Sequence, residues 1–184
     1  EPQSCVVSYK PDSQSTIWSS SQGQFMVRGL TAAITGMATG NIKAIPAEIG
    51  GGFGGKTIIY LEPLAMILSK KCGRPVKMQN TREEVFHSTG PAPGMSARLK
   101  VGATKDGKIT AVQGVYNMQA GCYPGSPVGR ACHFSFSCYD IENADLKGLD
   151  IVSNRPNVAA YRAPGAPQGN YVFEAMLDEI AKKL

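Results

Sequence analysis

Ile42-Lys43-Ala44-Ile45-Pro46-Ala47 runs into Gly50-Gly51-Gly52-Phe53-Gly54-Gly55-Lys56-Thr57, and then into the apolar positions Leu61, Leu64, Ala65 and Leu68. How this strand, glycine loop and helix are read decides the fold. Gly50-x4-Gly55-Lys56-Thr57 satisfies the phosphate-loop pattern literally: successive backbone N–H groups would wrap phosphate oxygens, with Lys56 as counter-charge and Thr57 on magnesium. That fold also needs an Asp closing an apolar strand to hold the metal. Leu149-Asp150 follows Lys147-Gly148, and Ala175-Met176-Leu177-Asp178-Glu179 has a helical period, so neither supplies it. Five glycines in six positions also exceed what a phosphate loop needs. A nucleotide-binding protein is therefore the rival reading, and a plain tight turn is the simplest one.

Working outward, Val6 to Lys10 and Ile17 to Ser19 read as strands around a polar turn. Ser21-Gln22-Gly23-Gln24 opens a helix with Phe25, Leu30, Ala33 and Ile34 near a 3.6 period. Beyond the glycine loop, Lys70 and Lys71 suit the negative end of the second helix and Gly73 ends it. Val76 to Gln79 is a strand, and Thr81-Arg82-Glu83-Glu84 is a capping box for a short helix. Ser96 to Thr104 and Lys108 to Met118 form a hairpin turning at Asp106-Gly107. Ala120 to Ser137 reads as irregular, Ile141 to Val152 as extended, and a last helix starts near Gln168 after the loop Arg162 to Pro167. Strands and helices mix without strict alternation and without an internal repeat. The expected fold is α+β, mixed sheets with packed helices, over residues 1–184, divisible into lobes of about 1–90 and 91–184.

The 184 residues, 42% apolar and 18% charged, suit a folded soluble chain with a real core. No apolar run reaches the length of a membrane span, and no signal peptide is visible. A scattered net charge of +5 implies mild attraction for anions and gives no basic arm for nucleic acid. Cys5, Cys72, Cys122, Cys132 and Cys138 include no C-x-x-C pair, so no direct metal ligand or iron–sulfur site is expected, and reduced thiols fit a cytoplasm. A start at Glu1 and a stop at Leu184 within a helical pattern read as the ends of a segment.

Four separated blocks carry a resemblance. They are the glycine loop Gly50–Lys56, Gly73-Arg74-Pro75-Val76-Lys77, Thr81-Arg82-Glu83-Glu84, and Ala160-Tyr161-Arg162-Ala163-Pro164-Gly165-Ala166-Pro167-Gln168-Gly169. In wording and order they resemble the molybdopterin-binding large subunit of the molybdenum hydroxylases, the xanthine dehydrogenase/aldehyde oxidase family. The last block is similar to that family's A-F-R-G-F-G-G-P-Q-G. The resemblance implies a molybdenum–molybdopterin cofactor, with the cytosine dinucleotide form left open, and iron–sulfur clusters and FAD on other domains or subunits. It further implies partnership with the remainder of the molybdenum subunit. The implied reaction hydroxylates a C–H of an N-heteroaromatic compound or an aldehyde with oxygen from water, and this segment alone would be silent. A glycine loop suits such a group because bare peptide N–H groups can approach an anion closely.

On matched positions, the resemblance implies that Gln22, Gly51, Gly52, Phe53, Gly54, Gly55 and Arg162 contact the cofactor. Arg130, 32 positions before Arg162, matches a substrate-side arginine that steadies developing negative charge and is the catalytic candidate. Thr57 and Pro164 fall where xanthine-oxidising members carry a substrate-contacting glutamate and a stacking phenylalanine, so xanthine itself is not the expected substrate. Ala163 replaces the cysteine of carbon monoxide dehydrogenases, which argues against that branch. Besides a nucleotide-binding protein, a non-catalytic assembly module stands as an alternative.

Overall fold

The computed structural model describes every residue, Glu1–Leu184. Its backbone contacts separate into two compact units, Glu1–Thr89 and Gly90–Leu184. The first contains β1 (Ser4–Ser8), β2 (Ser15–Ser19), α1 (Gln24–Thr35), β3 (Ile42–Pro46), α2 (Glu62–Cys72), β4 (Val76–Gln79) and α3 (Arg82–Ser88). Its sheet has the order β3-β2-β1-β4; β1 is antiparallel to β2 and β4, and β2 is parallel to β3. Alternation along the strands turns Cys5, Val7 and Ile17 inward, where Val27, Ile42, Ala65 and Met66 close the core. Each valine, isoleucine or methionine among them, taken fully from water, stabilises the fold by about 1.5–3 kcal/mol.

The helices end where local chemistry dictates, but α1 buries a face other than the expected one and α2 only part of it, Ala65 with Leu61 packed alongside. Helix α1 is capped by extended Gly23 and stopped by Gly36 at φ 70°, and α2 is stopped by Gly73 at φ 65° with Lys70 and Lys71 in its last turn. In α1 the buried positions are Val27, Thr31 and Ala32, whereas Phe25 is 86% exposed and Ile34 62%. In α2 they are Glu62, Pro63, Ala65, Met66 and Ser69, with Leu64 and Leu68 outside. Both helices carry two apolar stripes, and in α1 the sheet takes the one with smaller side chains, which lets helix and strands approach closely. The second helix also begins at Glu62, several residues beyond the glycine loop.

The second unit contains β5 (Met95–Ala103), β6 (Ile109–Gly121), α4 (Val128–Phe134), β7 (Asn143–Val152) and α5 (Ala166–Lys183). The hairpin turns at Gly107 (φ 89°), and β7 lies parallel to β6 in the order β5-β6-β7. Tyr116, Met118 and Ala131 form the buried centre, with Leu99, Leu146 and Val172 packed against it. Gly169 permits the close crossing of α4 and α5: a Cβ there would lie 2.2 Å from the Ala131 carbonyl oxygen. Ala120 to Ser137, expected to be irregular throughout, holds the end of β6, the irregular loop Cys122–Pro127 and the short helix α4. Its proline and glycine content had masked the helix. The last helix begins at Ala166. The architecture is α+β with two mixed sheets, as the element pattern indicated.

Each unit follows the same path: strand, antiparallel strand, helix, parallel strand, helix. No sequence repeat accompanies it. Parallel β2 and β3 therefore end on one edge, where the Ala47 N–H donates to the Ser19 carbonyl at 3.0 Å. Parallel β6 and β7 do the same, with Ser153 N–H donating to Gly121 O at 2.9 Å. Loops leaving the carboxyl ends of parallel strands are where open sheets present ligand sites.

Candidate cofactor cradle and side-chain cavity

In the first unit those loops are Ser20–Gly23, after β2, and Ala47–Tyr60, after β3. They are stitched together by Gln22. Its side-chain Oε1 accepts from Gly54 N–H at 2.8 Å and Lys56 N–H at 3.2 Å, its own N–H donates to Lys56 O at 2.9 Å, and Ser21 Oγ donates to the same carbonyl at 3.1 Å. Two donors fix which end of the amide is oxygen, so the Gln22 NH2 is left facing outward as a donor. A Cβ on Gly52 would lie 2.4 Å from Gln22 Cδ, so only glycine lets the amide lie across the loop. Phe53 is held at φ 53°, a conformation costly for a side chain of its bulk, and its ring is 59% exposed.

Gly55 N–H and Thr57 N–H close turns onto Gly52 O and Gly54 O. The N–H groups of Gly51, Gly52 and Phe53 have no acceptor within the chain. Three neighbouring unpaired donors beside an outward-facing amide form a cradle for an oxygen-rich or anionic group. The fit to a pterin with a phosphate tail is good on this ground.

The same geometry disfavours a nucleotide site. Lys56 is 3% exposed, and its Nζ donates to Ile49 O at 2.5 Å, closing the loop from behind rather than facing a phosphate. Burial lowers its pKa; Glu1 opposes this and Arg82 reinforces it. The Thr57 hydroxyl donates to Gly54 O at 2.6 Å, and no helix starts there. Asp150, the nearest thing to a metal-holding aspartate, is bonded to Gly125 and Ser126.

In the second unit the loops are Cys122–Pro127, after β6, and Ser153–Gly165, after β7. A cavity of about 310 Å³ lies where they meet, lined by Gly125, Arg130, Val158, Ala159, Ala160 and Pro164 among others. Arg130 stands in the first turn of α4 and is the only charged group on the lining. Arg162 (φ 21°) and Ala163 (φ 56°) both hold positive φ before Gly165 at φ 87°. A Cβ on Gly165 would meet Pro127 O at 2.5 Å, so this loop is pressed onto the start of α4. Arg162 is exposed and does not line the cavity. Thus Gln22 and Gly51–Gly55 gather at one edge of the first unit, with Thr57 exposed beside them. Arg130 and Pro164 gather at one edge of the second.

Two residues were not singled out for these roles. Buried Glu62 takes Ser19 Oγ at 2.5 Å and the N–H groups of Tyr60 and Leu61 at 3.0 and 3.1 Å, tying the end of β2 to the exit of the glycine loop. Asp150 ties β7 to the loop after β6. A carboxylate at the first position of an apolar helix hints at the former; no local signal marks the latter.

All 184 residues match the family described as "Molybdopterin cofactor-binding domain". Among curated proteins, the chain is 32% identical over 171 residues to "Probable hypoxanthine oxidase XdhD" of Escherichia coli (strain K12), covering 91% of this chain and 18% of that one. It is 29% identical over 187 residues to "Nicotinate dehydrogenase large molybdopterin subunit" of Eubacterium barkeri, covering all of this chain and 44% of that one. Among solved structures, the carbon monoxide dehydrogenase of Oligotropha carboxidovorans superposes with a TM-score of 0.88 at 28% identity, covering all of this chain and 24% of that one. The chain thus spans less than half the length of each of these relatives. A glycine loop with free amides, clamped by a glutamine, and a match over every residue lead to one conclusion: the chain belongs to the molybdopterin cofactor-binding domain family.

Proposed function

We propose that this chain is the cofactor-cradling part of a molybdenum hydroxylase whose full-length enzyme oxidises a C–H of an N-heteroaromatic compound or an aldehyde. One observation carries the reading: the clamped Gln22 amide beside the unpaired N–H groups of Gly51, Gly52 and Phe53. When bound, the molybdenum–pterin group supplies the two-electron oxidation; the protein supplies orientation and charge. Gln22 NH2 and the three amides would hold oxygen atoms of that group, with Gly54 and Gly55 shaping the loop, and the matched wording of its loop makes Arg162 a proposed cofactor contact. Arg130 offsets negative charge arising on the substrate, at a cavity whose remaining walls are small or aliphatic. Thr57 and Pro164 offer neither a carboxylate nor a stacking ring, which favours a substrate other than xanthine. Nicotinate and hypoxanthine in the names of the relatives support a heteroaromatic ring.

The complete enzyme needs the rest of its molybdenum subunit and electron carriers, iron–sulfur clusters and FAD, elsewhere. No helix is long and apolar enough to cross a membrane, and the five cysteines are unpaired, which supports a reducing cytoplasm as its location. Metal analysis of the purified full-length protein, with pterin fluorescence after oxidation, tests the proposal. About one molybdenum and one pterin per chain is the expected result. Neither group present, with ATP or GTP binding dependent on Lys56, would replace it by the nucleotide reading; neither group and no nucleotide would leave an assembly module.

A further inference from the structure

We propose that Asp150 is a positioning residue that fixes the Gly125–Pro127 wall of the cavity and, through it, Arg130. The inference rests on the placing of Arg130 at the substrate under the proposed function. Asp150 lies two residues before the end of β7, in register with Met118 of β6. Its Oδ2 accepts from Gly125 N–H at 2.6 Å and its Oδ1 from Ser126 N–H at 3.1 Å, so each carboxylate oxygen holds one of two consecutive amides. Between Cys122 and Ser126 no other backbone N–H has an acceptor. The segment is therefore fastened at this point by charge-assisted bonds, the stronger kind.

What is fastened matters for geometry. Gly125 (φ 135°) and Ser126 line the cavity, Pro127 caps α4, and Arg130 follows within the first turn. From the other side, Gly165 presses on Pro127 O and the Ala131 N–H. Fixing the two amides thus fixes where α4 begins and where the guanidinium can reach. Asp150 forms no ion pair, so the loop amides are the partners that account for a carboxylate here.

The test uses the full-length enzyme with Asp150→Ala, Asp150→Asn, Arg130→Ala and the Arg130→Ala/Asp150→Ala double variant. Amide exchange across residues 122–131 should quicken roughly tenfold or more in Asp150→Ala, the scale of one charge-assisted hydrogen bond lost. Asp150→Asn, which keeps one acceptor, should fall between. Cofactor content should be unchanged. Turnover should fall by up to about 10²-fold in Asp150→Ala, as expected for a displaced catalytic group, and by roughly 10²–10³ in Arg130→Ala. The double variant should be no slower than Arg130→Ala, because both changes remove one contribution. Losses that multiply, or unaltered exchange at 122–131, would overturn the proposal, as would full turnover in Asp150→Ala or in Arg130→Ala. An enzyme without molybdenum would instead sink the proposed function, and the exchange measurement would still report whether Asp150 holds the loop.

Discussion

Cys5 lies 3% exposed at the centre of the first unit, and burial, then the nearby charge of Glu62, push its thiol up to about 12 despite a hydrogen bond from Met78. The reactive form is the thiolate, so at pH 8 only about one Cys5 in 10⁴ is ionised. Alkylation of the native protein should modify exposed Cys72, Cys122 and Cys138 while Cys5 stays unlabelled until denaturant is added. Mass spectrometry of the alkylated peptides checks this; labelling of Cys5 at the pace of Cys72 would contradict it. Residue-level chemistry was unevenly legible beforehand. Gln22 and Arg130 were reached through a likeness of wording, since spacing alone gives a glutamine no role. Glu62 and Asp150 act across 43 and 25 positions of chain on Ser19 and Gly125, and bonds of that reach leave no periodic trace. Lys56 misled as a string: its neighbours match a phosphate loop, while its ammonium faces the Ile49 carbonyl.

Helix α3 buries none of its residues, so its termini carry much of its stability. Thr81 Oγ1 accepts from Glu84 N–H at 3.2 Å, and Glu84 Oε2 accepts from Thr81 N–H at 2.7 Å. Hydrogen bonds to its carboxylate, from the Thr81 backbone N–H first and the Thr81 hydroxyl second, hold the Glu84 pKa below the usual glutamate range. A depressed carboxylate stabilises the fold above its unfolded pKa, and the contribution is lost as pH falls through the folded value. Fraying of residues 82–88 should therefore set in on acidification below about pH 4 and be present at neutral pH in Thr81→Ala, which loses about 1 kcal/mol of capping. Backbone chemical shifts read out both; pH-independent shifts would refute the first. This box, the Gly73 stop and the Asp106-Gly107 turn were readable because each is complete within a few residues. The buried face of α1 was not, and that of α2 only in part, because the sheet on which they lie chooses among their stripes.

Both units place their loops by one rule: a helix carries the chain back so that two neighbouring strands run the same way, and their exits lie side by side. In the first unit this brings Gln22 to the glycine loop; in the second it brings Arg130 to the turn before α5. The fold class could be read from the order of strands and helices, whereas this shared path could not, since it is encoded in connectivity rather than in repeated residues. A group that binds the folded protein adds stability by mass action, and here it would supply acceptors to Gly51, Gly52 and Phe53. Full-length protein produced without molybdenum cofactor should melt lower and exchange these three amides faster than the loaded form; equal exchange would argue that the loop holds nothing. The parallel partnering of β6 with β7 has a consequence for biosynthesis as well. On a translating ribosome, β5 and β6 can zip up as soon as Gly121 emerges, yet the other margin of β6 must wait for Asn143–Val152. For that interval it is an unsatisfied ladder, the kind of margin that recruits stray strands, and chaperone demand during synthesis should be concentrated there.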